Sequence, residues 1–257
     1  MRTPASGNEL RVAVVGDFQI GKSSLVNCLL AESLAETGEG YFPTTDTAAE
    51  YPFAPSIVLV DTPGYDDANP ERTKISDGEI QKADMLLFVK TERTLGDHDE
   101  TILRKGERKP TIILFNCTDI TLGPSGWIPD LPDNLGTCGA IRKELDDIGI
   151  IDACLSIEGH ITTPINILWA QFGLGLSISE SKKNDILDFA RQQFGINGDE
   201  SDLRSKLLVH SGFLPVRDFL KNLPLELLKH VVSNPKREID RIVDRFAAEL
   251  KKRWTAA

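Results

Sequence analysis

Short apolar, β-branched runs recur through the first two thirds of the chain, and the stretches between them repeat their apolar positions at helical spacing. Runs at residues 10–15, 47–53, 57–60, 85–90, 111–116 and 151–156 predict six strands. Helices fit between and after them at 22–32, 75–82, 97–105, 138–147 and 164–172. Alternation of this kind is the signature of a mostly parallel six-stranded sheet flanked by helices. The alternation breaks once, at 118–136, where Pro and Gly crowd into what reads as an ordered surface excursion.

Beyond Gly175 the strand signals stop and helical patterns take over. Ser179 and Ser201 read as caps, and Pro215, Pro224 and Pro235 as helix starts. The last stretch carries Ile239, Ile242, Val243, Phe246, Leu250 and Trp254 at helical spacing, an apolar face expected to dock against neighbouring helices. The organisation expected is an α/β domain over 1–175 and an all-α region over 176–257.

Charge supports that division. Residues 1–177 hold 14 Lys and Arg against 27 Asp and Glu, whereas 178–257 hold 15 against 12, so the net charge changes from −13 to +3. The overall −10 disfavours indiscriminate nucleic-acid binding by the whole surface. Contact of the basic tail with nucleic acid or membrane is a minor reading, since acids are interleaved with Lys236, Arg237, Arg241, Arg245, Lys251, Lys252 and Arg253. No apolar run is long enough for a membrane span and the first ten residues carry no leader pattern, so a cytoplasmic home is expected. Cys28, Cys117, Cys138 and Cys154 are scattered without a CxxC pair, which suggests neither a disulfide scaffold nor a zinc site.

The sharpest chemical signal is GDFQIGKS, Gly16 to Ser23, between an apolar strand and a helical stretch. That context is what the phosphate-loop pattern GxxxxGK[ST] requires. Gly21 permits a tight turn, and the backbone N–H groups of the loop, Phe18, Gln19 and Ile20 among them, converge on phosphate oxygens. The following helix points its positive end at the same place. Lys22 would bridge the terminal phosphates, the Ser23 hydroxyl would bind Mg²⁺, and Ser24 can add a hydroxyl near the inner phosphate.

Two later segments narrow the ligand. Asp61 and Gly64, in DTPG, follow a strand, where a carboxylate can reach the magnesium shell and a glycine N–H the γ-phosphate; alone, the tetrapeptide would read as a turn. Asn116 to Asp119, NCTD, follows another strand, and the Asp119 carboxylate can accept from guanine N1–H and the exocyclic amine, a pair that adenine lacks. GTP is therefore expected over ATP.

GDFQIGKS, the Thr44/Thr45 pair, DTPG, NCTD and Ser156 together resemble the five ordered motifs of the Ras-like P-loop GTPases, over roughly residues 10–172. GKSSLVNCLL followed by PTT and DTPG is most similar to the Era-like, dynamin-like and ribosome-binding branches. The resemblance implies a P-loop GTPase domain over 1–175, with Mg²⁺ held by Ser23, Thr45 and Asp61 and with Lys22 and Thr45 in the catalytic machinery. It implies that Thr45, or else Thr44, closes over Mg²⁺ and the γ-phosphate and lets go after hydrolysis. Ser156 and Ile157 would support the base. Cys117 stands where the family has the lysine that covers the base, so weaker guanine affinity is expected. Phe18 and Gln19 fill positions where potassium-stimulated relatives often have asparagine, which leaves open whether K⁺ is a cofactor. Tyr65 follows DTPG where a glutamine would orient water, so low intrinsic turnover is expected. Asp66 and Asp67 read as solvated residues of a polar loop. A molecular switch or mechanoenzyme relaying its nucleotide state through the C-terminal helices is the leading function; a hydrolysis-deficient nucleotide-binding interaction module is the alternative. The first implies nucleotide-dependent self-association or a protein partner.

Overall fold

The computed structural model describes residues 9–35, 47–65, 69–91, 94–106, 109–117, 140–157, 161–194 and 199–223. The chain divides into two compact units, 1–217 and 218–257. In the first, six strands form one sheet in the order β2-β3-β1-β4-β5-β6. They are β1 (Leu10–Val15), β2 (Ala49–Ala54), β3 (Ile57–Asp61), β4 (Met85–Lys90), β5 (Thr111–Asn116) and β6 (Thr162–Ile165). Only β2 runs antiparallel to its neighbour, bulging between Pro52 and Ala54. All other pairings are parallel. β4 and β5 are buried at every position, as expected of strands covered on both faces.

The helices are α1 (Lys22–Leu30), α2 (Pro70–Lys82), α3 (Asp97–Lys105), α4 (140–147), α5 (Ile167–Gly173), α6 (Glu180–Phe194), α7 (Glu200–His210) and α8 (Phe213–Lys221). One core joins Ala13, Val15, Leu86, Phe88 and Ile113 of the sheet to Ile80, Ile102, Ile141 and Leu145 of α2, α3 and α4. A second joins Trp169 and Phe172 of α5 to Ile186 and Ala190 of α6 and to Leu203 and Leu207 of α7. The helices up to Arg217 thus belong to the same unit as the sheet, although the change in charge and pattern comes near residue 175. Of the second unit the described residues are 218–223, the end of α8 and the turn after it.

The expected sixth strand at 151–156 is corrected. Residues Ile151–Ala153 form a single 3₁₀ turn and Cys154 makes only an isolated bridge to Thr111. The sheet is completed instead by Thr162–Ile165, pairing with Ile113–Asn116. Pro164 argues against a central strand but is tolerated on an edge, which is where β6 lies. The following helix accordingly starts at Ile167, not at 164, because the Asn166 side chain accepts from Trp169 N at 2.9 Å and caps it. α2 also begins earlier than its apolar pattern suggests: Asn69 caps it and Pro70 fills the first position. Asp199 rather than Ser201 caps α7, and Pro215 lies in the first turn of α8. The 118–136 excursion, Pro224, Pro235 and the apolar face from Ile239 to Trp254 lie outside the described residues.

Candidate functional site

The site gathers where β1, β3 and β5 end, at the edge from which ligands are reached in open parallel sheets. β1 delivers the phosphate loop, which ends at Gly21, left-handed at φ 96°, before Lys22 opens α1. Gln19 is also left-handed, at φ 57°, so the loop curls rather than extending. Nitrogen atoms of such a curl form a concavity suited to anions.

Lys22 folds back into this curl. Its side chain is buried and its Nζ donates to the Asp17 carbonyl at 2.7 Å. Burial lowers the Lys22 ammonium to about 8, against the pull of the Asp61 and Asp17 charges. An anion entering the loop would favour the charged form and so meet a full positive charge.

The end of β3 supplies the counterpart. Asp61 is 1% exposed, and its Oδ2 accepts from Ser23 Oγ at 2.6 Å. Its Oδ1 is buried with no hydrogen-bond partner among the described residues. Burial raises the Asp61 carboxyl above its ordinary value, opposed by the Ser23 hydrogen bond and by Lys22. A hydroxyl and an orphaned carboxylate oxygen side by side are an oxygen donor set that suits Mg²⁺. Ser23 and Asp61 would hold that ion, and its charge would repay the cost of burying the carboxylate.

The DTPG turn is fixed from both sides. Thr62 Oγ1 donates to Val14 O at 2.8 Å, and Ser76 Oγ of α2 donates to Pro63 O at 2.6 Å. Gly64 then lies directly on the phosphate loop: a Cβ there would be 2.7 Å from Phe18 Cα and 3.1 Å from Lys22 Nζ. Only glycine permits this approach.

β5 ends in Asn116, which is 6% exposed. Its Nδ2 donates to Ile20 O at 3.0 Å and its Oδ1 accepts from Ile167 N at 3.2 Å. The side chain therefore braces the phosphate loop against the β6–α5 junction. Cys117 is half-buried beside it. Next to the loop, Asp17, Phe18, Lys90, His98 and Asp99 line a cavity of about 320 Å³. Its lining includes a buried ion pair, Lys90 Nζ to Asp99 Oδ2 at 2.8 Å.

The structure thus brings together Gly16, Phe18, Gln19, Ile20, Gly21, Lys22, Ser23, Asp61, Gly64 and Asn116, with Ser24 one residue on in α1. Ser156 and Ile157 are not brought to this cluster. Leu155 N donates to Thr111 O at 2.7 Å, at the start of β5, while Asn116 ends that strand. Asn166 and Ile167 stand beside Asn116 instead, and the signal that could have found them is the N-cap asparagine after a Thr-Thr-Pro-Ile run. Thr44, Thr45, Asp66, Asp67 and Asp119 lie outside the described residues. Among the described residues no cluster of three or more His, Cys, Asp or Glu side chains could hold a metal, and no helix is long and apolar enough to cross a membrane.

A glycine-bounded loop, a buried lysine and a hydroxyl–carboxylate pair on a parallel sheet define a P-loop nucleotide-binding domain. Residues 11–117 match the family described as 50S ribosome-binding GTPase. Curated relatives include the tRNA modification GTPase MnmE of Streptococcus thermophilus, 32% identical over 142 residues, covering 52% of this chain and 31% of that protein. MnmE of Clostridioides difficile is 34% identical over 118 residues, covering 43% and 26%. The chain spans about a third or less of the length of these relatives. Solved structures with similarity include Aquifex aeolicus Era bound to GDP and aluminium fluoride, at 21% identity and TM-score 0.47 over 70% of this chain and 56% of that one. A bacterial dynamin structure shows 16% identity and TM-score 0.47 over 96% and 57%.

Proposed function

We propose that the protein binds GTP with Mg²⁺ and hydrolyses it slowly to GDP, as a molecular switch or mechanoenzyme whose C-terminal helices relay the nucleotide state. The observation that carries this reading is the convergence of Lys22, Ser23, Asp61 and Gly64 on one concavity. Loop amides and Lys22 bind and orient the triphosphate, and Gly64 N–H meets its terminal group. Ser23 and Asp61, joined by Thr45, would hold Mg²⁺, which when bound would supply charge neutralisation at the terminal phosphates. Asp119 reads the guanine while Asn116 keeps the base side attached to the phosphate side. Phosphoryl transfer needs positioning and charge stabilisation more than covalent help, so these groups give slow turnover.

A route to the helices is supported by the Asn116 brace. The residue before its partner Ile167, Asn166, donates its backbone N–H to Ser211 O at 2.8 Å, at the turn between α7 and α8. Movement of the β6–α5 junction with nucleotide state is thereby passed to α7.

Single-turnover phosphate release from Mg·GTP, with ATP as competitor and in K⁺ against Na⁺, tests the reading at several protein concentrations. Release from GTP that excess ATP does not suppress is expected; tight GTP binding with no release would select the interaction-module alternative, and no guanine-nucleotide binding would overturn both. Asp119→Asn should shift preference towards xanthine nucleotide, because the amide donates where the carboxylate accepts. Unchanged guanine preference in a competition assay would remove the base assignment.

A further inference from the structure

Residue 65 follows the DTPG turn, and its side chain is committed elsewhere than the phosphate site. Tyr65 is 3% exposed and belongs to the core shared by the sheet, α2 and α3. Its hydroxyl donates to Asp77 Oδ1 of α2. Asp77 in turn accepts from Lys105 Nζ of α3 through both oxygens at 2.7 Å, and that ammonium lies 5.4 Å from the centre of the Tyr65 ring. Burial and the neighbouring Asp77 carboxylate push the phenol well above its ordinary value, so it stays a donor.

The backbone of the same residue faces the other way. Tyr65 N donates to Gly16 O at 3.4 Å, and Asp17 and Tyr65 form a parallel bridge. Residue 65 therefore joins the phosphate loop to the α2–α3 pair, and Gly64, immediately before it, sits against Lys22 and Phe18. Displacing Tyr65 would displace Gly64, whose N–H the GTPase reading places at the terminal phosphate.

We propose that Tyr65 is a positioning residue: anchored on the Asp77–Lys105 pair, it holds Gly64 against the phosphate loop, and it orients no water itself. The proposal rests on the GTPase reading and extends it. The anchor acts on the terminal phosphoryl group alone, because the diphosphate is held by loop amides and Lys22. Loss of the anchor should slow the chemical step and weaken GTP relative to GDP.

The test is single-turnover hydrolysis together with GTP and GDP affinities for Tyr65→Phe, Tyr65→Gln, Asp77→Leu and Asp77→Asn. Tyr65→Phe keeps the ring and loses the hydroxyl; its hydrolysis rate should fall on the order of tenfold, the scale of one hydrogen bond to a charged group. GDP affinity should stay within about twofold, since no diphosphate contact is removed. Asp77→Leu should reproduce this loss, and combining it with Tyr65→Phe should add little. Asp77→Asn retains an acceptor for the phenol and should recover most of the rate. Tyr65→Gln should be slower than wild type. A faster Tyr65→Gln, an unchanged Tyr65→Phe, or equal losses of GDP and GTP affinity would overturn the proposal. Should Tyr65→Phe fail to fold, Lys105→Met, which perturbs the anchor at a partly exposed site, carries the same expectation and the same refutation. Absence of phosphate release from the wild-type protein would sink the GTPase reading instead, so the two failures are distinguishable.

Discussion

Replacing Asn116 by alanine tests whether the side chain braces the phosphate loop against the β6–α5 junction. It is 6% exposed and satisfies two distant backbone groups, Ile20 O at 3.0 Å and Ile167 N at 3.2 Å. The alanine side chain reaches neither. Each buried group left unpaired costs about 1–3 kcal/mol, so the two together give about 2–6 kcal/mol, the lower half applying if water enters the vacated space. For a chain of this length a loss of 1 kcal/mol lowers the melting midpoint by about 2–4 °C, which puts the expected drop at about 4–24 °C. The measurement is thermal and urea unfolding without nucleotide, so that lost ligand binding does not contribute. Asn116→Asp should be at least as damaging, because it loses the donor and turns a carboxylate towards the Ile20 carbonyl. Nucleotide-free Asn116→Ala melting within about 1 °C of wild type would refute the brace, as a shift that small leaves no room for two unpaired buried groups.

Other consequences are as direct. Gly64→Ala adds a Cβ 2.7 Å from Phe18 Cα, which should cost about 1–3 kcal/mol of overpacking at the closed turn and show as a rate of GTP hydrolysis reduced more than GDP affinity. Equal effects on both would count against a contact confined to the terminal phosphate. Lys90→Met leaves Asp99 without its ammonium in a site where the lysine side chain is 2% exposed, and urea unfolding should register a loss of about 3 kcal/mol. Restoration by Lys90→Met/Asp99→Leu would locate that cost in the stranded carboxylate; no recovery would place it elsewhere. His210 has its folded value lowered by burial, so the unfolded chain takes up the proton first. Its contribution is complete above the ordinary histidine value of 6.5 and fades as pH falls below it. His210→Gln should flatten that part of the stability–pH curve, and an unaltered slope would remove histidine from the account.

How much of this could be seen in the sequence depended on distance along the chain. β4 and β5 were legible because a strand buried on both faces must be an unbroken apolar run, as MLLFVK and TIILFN nearly are. The phosphate loop was legible because eight consecutive residues make it. The sixth strand was misplaced because two segments competed: 151–156 is the more apolar, while TTPI is short and carries a proline that only an edge accepts. The α7 cap was missed because Asp199 and Ser201 are both good caps two positions apart, and only the bond to Asp202 N separates them. Least legible were the ties closing the site. Asn116 reaches Ile20 across 96 positions and Ile167 across 51, and Tyr65 meets Asp77 and, through it, Lys105 on two other helices. No local pattern encodes such pairs, since they follow from which strand ends beside which.

The thiols offer a practical opening for spectroscopy. Cys28 is buried in α1 with its Sγ directed at Ile167 O, and burial pushes its ionisation well out of the ordinary range; Cys154 is buried too. Cys117 is partly open to solvent. Among these three, an alkylating dye should label Cys117 first, one residue from Asn116, so its emission would report on the brace that Asn116 makes between the phosphate loop and the β6–α5 junction.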